Sequence, residues 1–292
     1  MTTKSGTLYL CATPIGNLED MTFRAVRVLK EADLIAAEDT RNSIRLLNHF
    51  DIHTPMTSYH EYNRIEKGRT LVKKLLEGQN VALITDAGTP GISDPGEALV
   101  CMCREAGITV TSVPGACACV TALSMSGRPS RRFCFEAFLP SDKKEREAVL
   151  AELERETRTI ILYEAPHRLK KTLTELLGRM GNRKLSVCRE LTKRYETVLE
   201  LTLEEACAYY EGQEPKGEYV LVIEGRSRDE MDREQQERFL RMTVSEHVRR
   251  YEDQGMDRKS AMKQAAKDRG TGKREIYQAL LLEEGQGTRH GE

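Results

Sequence analysis

The stretch Thr85-Asp86-Ala87-Gly88-Thr89-Pro90-Gly91-Ile92-Ser93-Asp94-Pro95-Gly96 decides how this chain folds, because of what stands before it. It follows the short apolar run 81–84, and a related loop, Thr13-Pro14-Ile15-Gly16-Asn17-Leu18, follows the apolar run 8–12. A short apolar run that breaks into a Gly/Pro turn reads as a buried strand with its carboxyl end open. Open α/β sheets place their ligands at that end. Glycine lets backbone approach a ligand closely, and proline holds the loop in one shape. One such loop is ordinary, since every strand-to-helix connection turns. Two long ones, both carrying Gly and Pro, predict a nucleotide-like cofactor.

Working outward, strand and helix signals alternate. Residues 22–32 form an amphipathic helix with Phe23, Val26 and Leu29 on one face. A strand at 34–37 ends in Glu38-Asp39-Thr40-Arg41, a helix covers 43–49, and residues 57–63 read as a polar loop. A Lys-rich helix (66–77), the 81–84 strand, a helix (97–106) and a strand (109–113) complete a βαβαβαβ order, the form of a mainly parallel sheet. Pro114-Gly115 opens a third strand-to-helix turn. Beyond it the connections shorten to hairpin length and predict a second α/β domain with a mixed sheet. From Gly225 the chain is highly charged and loses strand signals, with helices expected over about 235–251, 258–267 and 274–282. The expected division is therefore 1–117, 118–226 and a helix-turn-helix-like extension, 227–292.

Composition narrows the function. The 292 residues carry a formal net charge of −1, so any nucleic-acid-binding surface must be local. One is visible: between Arg258 and Arg274 stand Arg258, Lys259, Lys263, Lys267, Arg269, Lys273 and Arg274 against a single acid, Asp268. Trp is absent, which argues against a platform gripping several exposed bases. The eight cysteines form no CxxC and have no His at ligand spacing, so no metal site is expected and reduced core thiols are. The N-terminal residues lack an apolar signal region and no run suits a bilayer span, which predicts a soluble, cytoplasmic protein.

No GxGxxG follows a strand and no GxxxxGK[ST] occurs, so nicotinamide, flavin and P-loop nucleotide sites are unsupported. Prolines in the turns remove N–H donors, which suits a ligand with little phosphate, such as a nucleoside bearing an amino-acid tail. Asp86, at its strand's carboxyl end, reads either as an acceptor for a ribose hydroxyl or ammonium, or as a turn former.

Taken together, TPIGNL (13–18), AEDTR (37–41), TDAGTPGISDPG (85–96), PGACA (114–118), FLP (138–140), YEAPHR (163–168), CRELTKRYE (188–196) and KGEYVLVIEG (216–225) resemble the ribosomal RNA small subunit methyltransferase I family. One departure is Ala116, where that family commonly has proline. The resemblance implies a tetrapyrrole-methylase-like (class III) fold, two α/β domains with S-adenosyl-L-methionine in the cleft between them, and 2′-O-methylation of a cytidine in the decoding region of 16S rRNA. It implies cofactor contacts at Pro14, Ile15, Asp86, Gly88, Ile92, Cys117 and Ala118. From the second half come Tyr163 or Ala165, Leu191 and Glu218. It also implies a homodimer, the 30S subunit or its rRNA as partner, and RNA contact through Arg258, Lys259, Lys263, Lys267, Lys273 and Arg274.

Methyl transfer to a ribose hydroxyl calls for in-line approach and gains from a proton acceptor. The candidates near the motifs are Glu38 and Asp39, His60 and Glu61, Glu164, His167 and Arg168, and Glu190 with Lys193. Two other readings compete: the same scaffold acting on a tetrapyrrole precursor or a protein side chain, and a non-catalytic ribosome-associated binder. The basic tail speaks against the former, and retention of every loop motif against the latter.

Overall fold

The computed structural model describes residues 5–287. The chain forms one body that ends at Gly225 and a second that begins at Arg226. The first contains two five-stranded sheets.

The first sheet comprises β1 (Thr7–Cys11), β2 (Leu34–Ala37), β3 (Met56–Ser58), β4 (Val81–Ile84) and β5 (Thr109–Val113). Their order is β3-β2-β4-β1-β5, and each neighbouring pair is parallel. Helices α1 (Phe23–Glu31) and α2 (Thr40–His49) cover one face, while α3 (Arg64–Leu76) and α4 (Glu97–Glu105) cover the other. Successive β4 residues alternate between these cores. Ala82 and Ile84 pack with Leu29 and Leu47, whereas Val81 and Leu83 pack with Leu71, Leu75 and Leu99. A strand buried on both faces has to read as an unbroken apolar run. From β1 the chain crosses to β2 over one face; from β4 it crosses to β5 over the other. The β1/β4 boundary is thus a topological switch point, and both Gly/Pro loops leave from it.

Residues 57–63, expected as loop, include the end of β3 and a 3₁₀ turn, Glu61–Asn63. β3 is a short edge strand of half-buried residues, so it leaves no apolar run to read.

Helix α5 (Ala118–Met125) leads into β6 (Phe133–Phe138), α6 (Lys143–Glu154), β7 (Thr159–Glu164), α7 (Pro166–Met180), β8 (Lys184–Arg189), β9 (Thr197–Thr202), α8 (Leu203–Glu211) and β10 (Tyr219–Ile223). The sheet order is β6-β7-β10-β8-β9; β6 and β7 run parallel and the other pairs antiparallel. Helices α6, α7 and α8 bury Leu150, Leu173 and Leu203 against one face. Helix α5 lies on the opposite face, where Cys119, Ala122 and Leu123 meet Ile161, Cys188 and Val220.

The second body comprises α9 (Arg228–Leu240), α10 (Val244–Glu252), α11 (Arg258–Arg269) and α12 (Lys273–Gly287). Its core is Val244, Val248, Ala261, Ala265, Ile276 and Leu280. The single helix expected over 235–251 is two. Thr243 accepts from the Glu246 N–H and Glu246 accepts from the Thr243 N–H, a capping box that starts α10 and ends continuity with α9. Among the described residues no helix is long and apolar enough to cross a membrane.

Candidate functional site

Three strand-end loops of the first sheet are tied together. Thr13 and Gly88 exchange both backbone hydrogen bonds, at 2.9 and 3.1 Å, and the Thr13 hydroxyl donates to the Thr85 carbonyl at 3.2 Å. Thr89 Oγ1 donates to the Ala116 carbonyl at 3.0 Å, which adds the loop after β5. Gly88 has φ +85, a backbone that L side chains resist. The Thr13 and Gly88 amides are thus spent on holding the two loops together.

A cavity of about 510 Å³ lies between these loops and the second sheet. That volume suits a small organic ligand. Ile15, Gly88, Ile92, Cys117 and Ala118 line it from one side; Tyr163, Ala165, Leu191, Glu218 and Val220 line it from the other. The Tyr163 hydroxyl accepts from the Cys119 N–H at 2.9 Å, and the ring is held edge-on by Phe135 and Phe138, so β7 and α5 are fixed to each other at the cavity wall. Of the expected cofactor contacts, Pro14 and Asp86 are not among the lining residues. Asp86 instead holds the neighbouring loop: Oδ1 accepts from the Asp39 N–H at 3.2 Å and Oδ2 from Asn42 Nδ2 at 2.9 Å.

Besides Glu164 and Glu218, the cavity holds a third carboxylate, Asp94, which is absent from the expected site residues. Its carboxyl is pushed up to about 7, first by burial and then by the charges of Glu38 and Asp86. Asp94 has no hydrogen-bond or ion-pair partner among the described residues. Its only sequence signal is its place in the Gly/Pro loop between Ser93 and Pro95. Cys117 forms the N-cap of α5, and its Sγ lies 3.5 Å from Cys119 Sγ. That thiol neighbour and the amides of the first helical turn lower the Cys117 pKa.

None of Glu38, Asp39, His60, Glu190 and Lys193 lines the cavity among the described residues. Glu38 accepts from the Asp86 N–H at 3.4 Å, and burial raises its pKa. Asp39 caps α2 and forks onto Arg41, which holds its carboxyl down at about 2. His60 caps the 3₁₀ turn with Asn63. Glu190 and Lys193 reach the cavity through Glu218: Lys193 Nζ lies 2.9 Å from Glu190 Oε1 and 2.8 Å from Glu218 Oε2. Glu164 and His167 do line it. Glu164 is buried, accepting from Thr172 Oγ1 and from the Ala165 N–H at 2.8 Å, so its oxygens are engaged. His167 is exposed to the cavity and makes no hydrogen bond among the described residues.

In the second body Lys259, Lys263 and Lys267 make an exposed stripe at i, i+4 and i+8 on α11, with Lys273 and Arg274 exposed at the start of α12. Arg258 pairs with Glu252 at 3.7 Å. Arg269, counted in the basic cluster, is interior: it is buried and donates to His247 Nδ1 and to the Met242 and Thr243 carbonyls. Asp268, the one acid, bonds Tyr251 and Gln264.

Residues 7–207 match the Tetrapyrrole (Corrin/Porphyrin) Methylases. A Halalkalibacterium halodurans protein named ribosomal RNA small subunit methyltransferase I is 51% identical over 93% of this chain and 93% of its own length. A Bacillus subtilis protein of the same name is 45% identical over 96% of this chain and 95% of its own. The chain belongs to the ribosomal RNA small subunit methyltransferase I family, within the tetrapyrrole methylases. As a member of that family it is an S-adenosylmethionine-dependent methyltransferase with the two-sheet α/β fold of the class. A uroporphyrin-III C-methyl transferase from Thermus thermophilus, solved with S-adenyl homocysteine, shares that fold at TM-score 0.52 and 21% identity, over 74% of this chain and 97% of its own.

Proposed function

We propose that this methyltransferase 2′-O-methylates the ribose of a cytidine in the decoding region of 16S rRNA. The observation that carries the proposal is coverage. Relatives named for ribosomal RNA match 93% and 96% of the chain, whereas the tetrapyrrole methylase match ends at residue 207, before the basic helices. A tetrapyrrole acceptor would leave Lys259, Lys263, Lys267, Lys273 and Arg274 without a use; RNA phosphates give them one. Arg258, paired with Glu252, lies at the edge of the same surface.

The residues present fit the cofactor. When bound, S-adenosylmethionine supplies a methyl group on a positively charged sulfur, beside an ammonium and an adenosine. Asp94, a cavity carboxylate without a partner, suits a cation or ribose hydroxyl, and the nearby charges of Glu38 and Asp86 favour a cationic ligand over a polyphosphate. Ile15, Ile92, Leu191 and Val220 supply apolar walls. Gly88, Cys117, Ala118 and Ala165 offer backbone, and Tyr163 and Glu218 stand on the facing wall. Asp86 acts one step away, tying its loop to Asp39 and Asn42. Holding the acceptor in line is worth roughly 7–11 kcal/mol in well-oriented reactions.

His167 is the candidate proton acceptor with a free imidazole at the cavity, while Glu38, Asp39, His60, Glu190 and Lys193 brace the surrounding loops. His167→Ala is expected to lower kcat about 10²–10⁴-fold with cofactor affinity unchanged. An unchanged kcat would remove it from the chemistry. The protein acts in the cytoplasm, as a homodimer. Val120 and Met125, exposed on α5, support the dimer; Leu123 is buried against the second sheet. Light scattering at micromolar concentration should give twice 33.1 kDa, and the single mass would contradict it.

Labelled methyl from S-adenosylmethionine should enter 30S subunits or 16S rRNA and not a porphyrinogen. Incorporation into the porphyrinogen alone would reverse the reading.

A further inference from the structure

We infer that Tyr195, covered by Arg194, is a stacking platform for one nucleobase beside the acceptor nucleotide; the inference rests on RNA being the substrate. Residues 190–196 connect β8 to β9, and the loop starts at the cavity, where Leu191 is a lining residue. Glu190 and Thr192 have φ of 52 and 65, a conformation that non-glycine residues adopt at a cost of about 1–3 kcal/mol each. The loop is braced at Glu190, Thr192, Lys193 and Glu196, on both sides of Arg194 and Tyr195. Glu190 Oε1 accepts from the Glu218 N–H at 3.0 Å and from Lys193 Nζ at 2.9 Å. The Thr192 N–H donates to Glu196 Oε2 at 2.6 Å, and the Glu196 N–H donates to the Lys193 carbonyl at 3.1 Å. The β1 loop closes on it so tightly that a Cβ at Gly16 would come within 2.4 Å of Lys193 Cγ.

This rigid loop displays an aromatic ring to solvent. Tyr195 is 66% exposed, and the Arg194 guanidinium carbon lies 5.6 Å from its ring centroid. A single exposed apolar ring is ordinary on a protein surface. Strained and braced residues on both sides of an exposed ring are not ordinary, and here the ring stands four residues along the loop from the cavity-lining Leu191. Unstacked RNA bases are gripped by aromatic faces and guanidinium planes, and an Arg beside the ring adds attraction for the adjoining phosphate. One ring serves one base, in keeping with a chain that has no Trp.

The missing Trp supplies the test: Tyr195→Trp installs the chain's sole tryptophan. With cofactor present, its emission should be quenched on titration with a 16S rRNA fragment bearing the acceptor cytidine, and its KM for 30S subunits should match wild type. Tyr195→Ala should raise that KM roughly tenfold or more, leaving kcat and cofactor affinity unchanged. Emission that stays constant at saturating RNA, or an Ala variant with wild-type KM, would overturn the platform. So would an emission change that follows protein concentration without RNA, which marks contact with a second copy. A wild-type protein that transfers no methyl to RNA would overturn the functional reading and the platform together; one that does, alongside an unaffected Ala variant, overturns the platform alone.

Discussion

Asp86 and Asp94 occupy one loop yet meet different surroundings. Asp86 is hydrogen-bonded on both oxygens, to Asp39 after β2 and to Asn42 in the first turn of α2, whereas Asp94 faces the cavity without a partner among the described residues. The Asp86 position was open to both roles in the sequence, because a strand-end Asp caps turns as readily as it binds ligands. Asp94 was hidden because its meaning comes first from burial and then from the approach of Glu38, distant in sequence, beside Asp86. Asp94→Asn should weaken S-adenosylmethionine binding tenfold or more, and Asp86→Asn less. The pH dependence follows from the raised Asp94 pKa. A cation binds the ionised carboxylate, so affinity should rise with pH through about 7, and binding below that pH should release a proton. Glu38, Asp86 and Cys117 face the same carboxyl, so Asp94→Asn is the control that isolates it. Calorimetry in buffers of different ionisation enthalpy measures both quantities; a flat pH profile in the wild type would contradict the assignment.

At the scale of elements, β1 and β4 were legible because strands buried on both faces leave continuous apolar runs ending in Gly and Pro. β3 was not, since an edge strand of three half-buried residues carries no such run. The break between α9 and α10 was also missed: a Thr/Glu capping box inside a charged, weakly periodic stretch is easily read through. The β8–β9 connection was legible as a short polar turn within the motif CRELTKRYE, but its bracing was not, since that comes from Glu218 and Gly16, distant in sequence. Gly217 holds that connection in place. It has φ +87, and a Cβ there would come within 2.6 Å of the Glu190 side chain. Gly217→Ala should therefore cost about 1–3 kcal/mol and displace Glu190 from Lys193. Urea denaturation checks the stability, and an unchanged midpoint would show that the loop yields without cost.

For the whole molecule, the division of labour is a cofactor cavity in the first body and a basic helical surface in the second. The sequence exposed both, because loop motifs and charge clusters are local. It overcounted the basic surface by Arg269, whose inward position depends on His247 and two carbonyls of another helix end. Replacing Lys259, Lys263 and Lys267 together with Ala should lower RNA affinity and reduce the log–log salt slope by about 2, at roughly 0.7–0.9 per phosphate contact. Cofactor affinity should hold. An unaltered slope across a salt series would place RNA elsewhere. The most direct test of the account is to run the reaction with 30S subunits and S-adenosylmethionine carrying a deuterated methyl, digest the rRNA, and analyse its nucleosides by mass spectrometry. The label should appear on the ribose of a single decoding-region cytidine. Label on a base, or no labelled nucleoside from a protein that binds the cofactor, would contradict it.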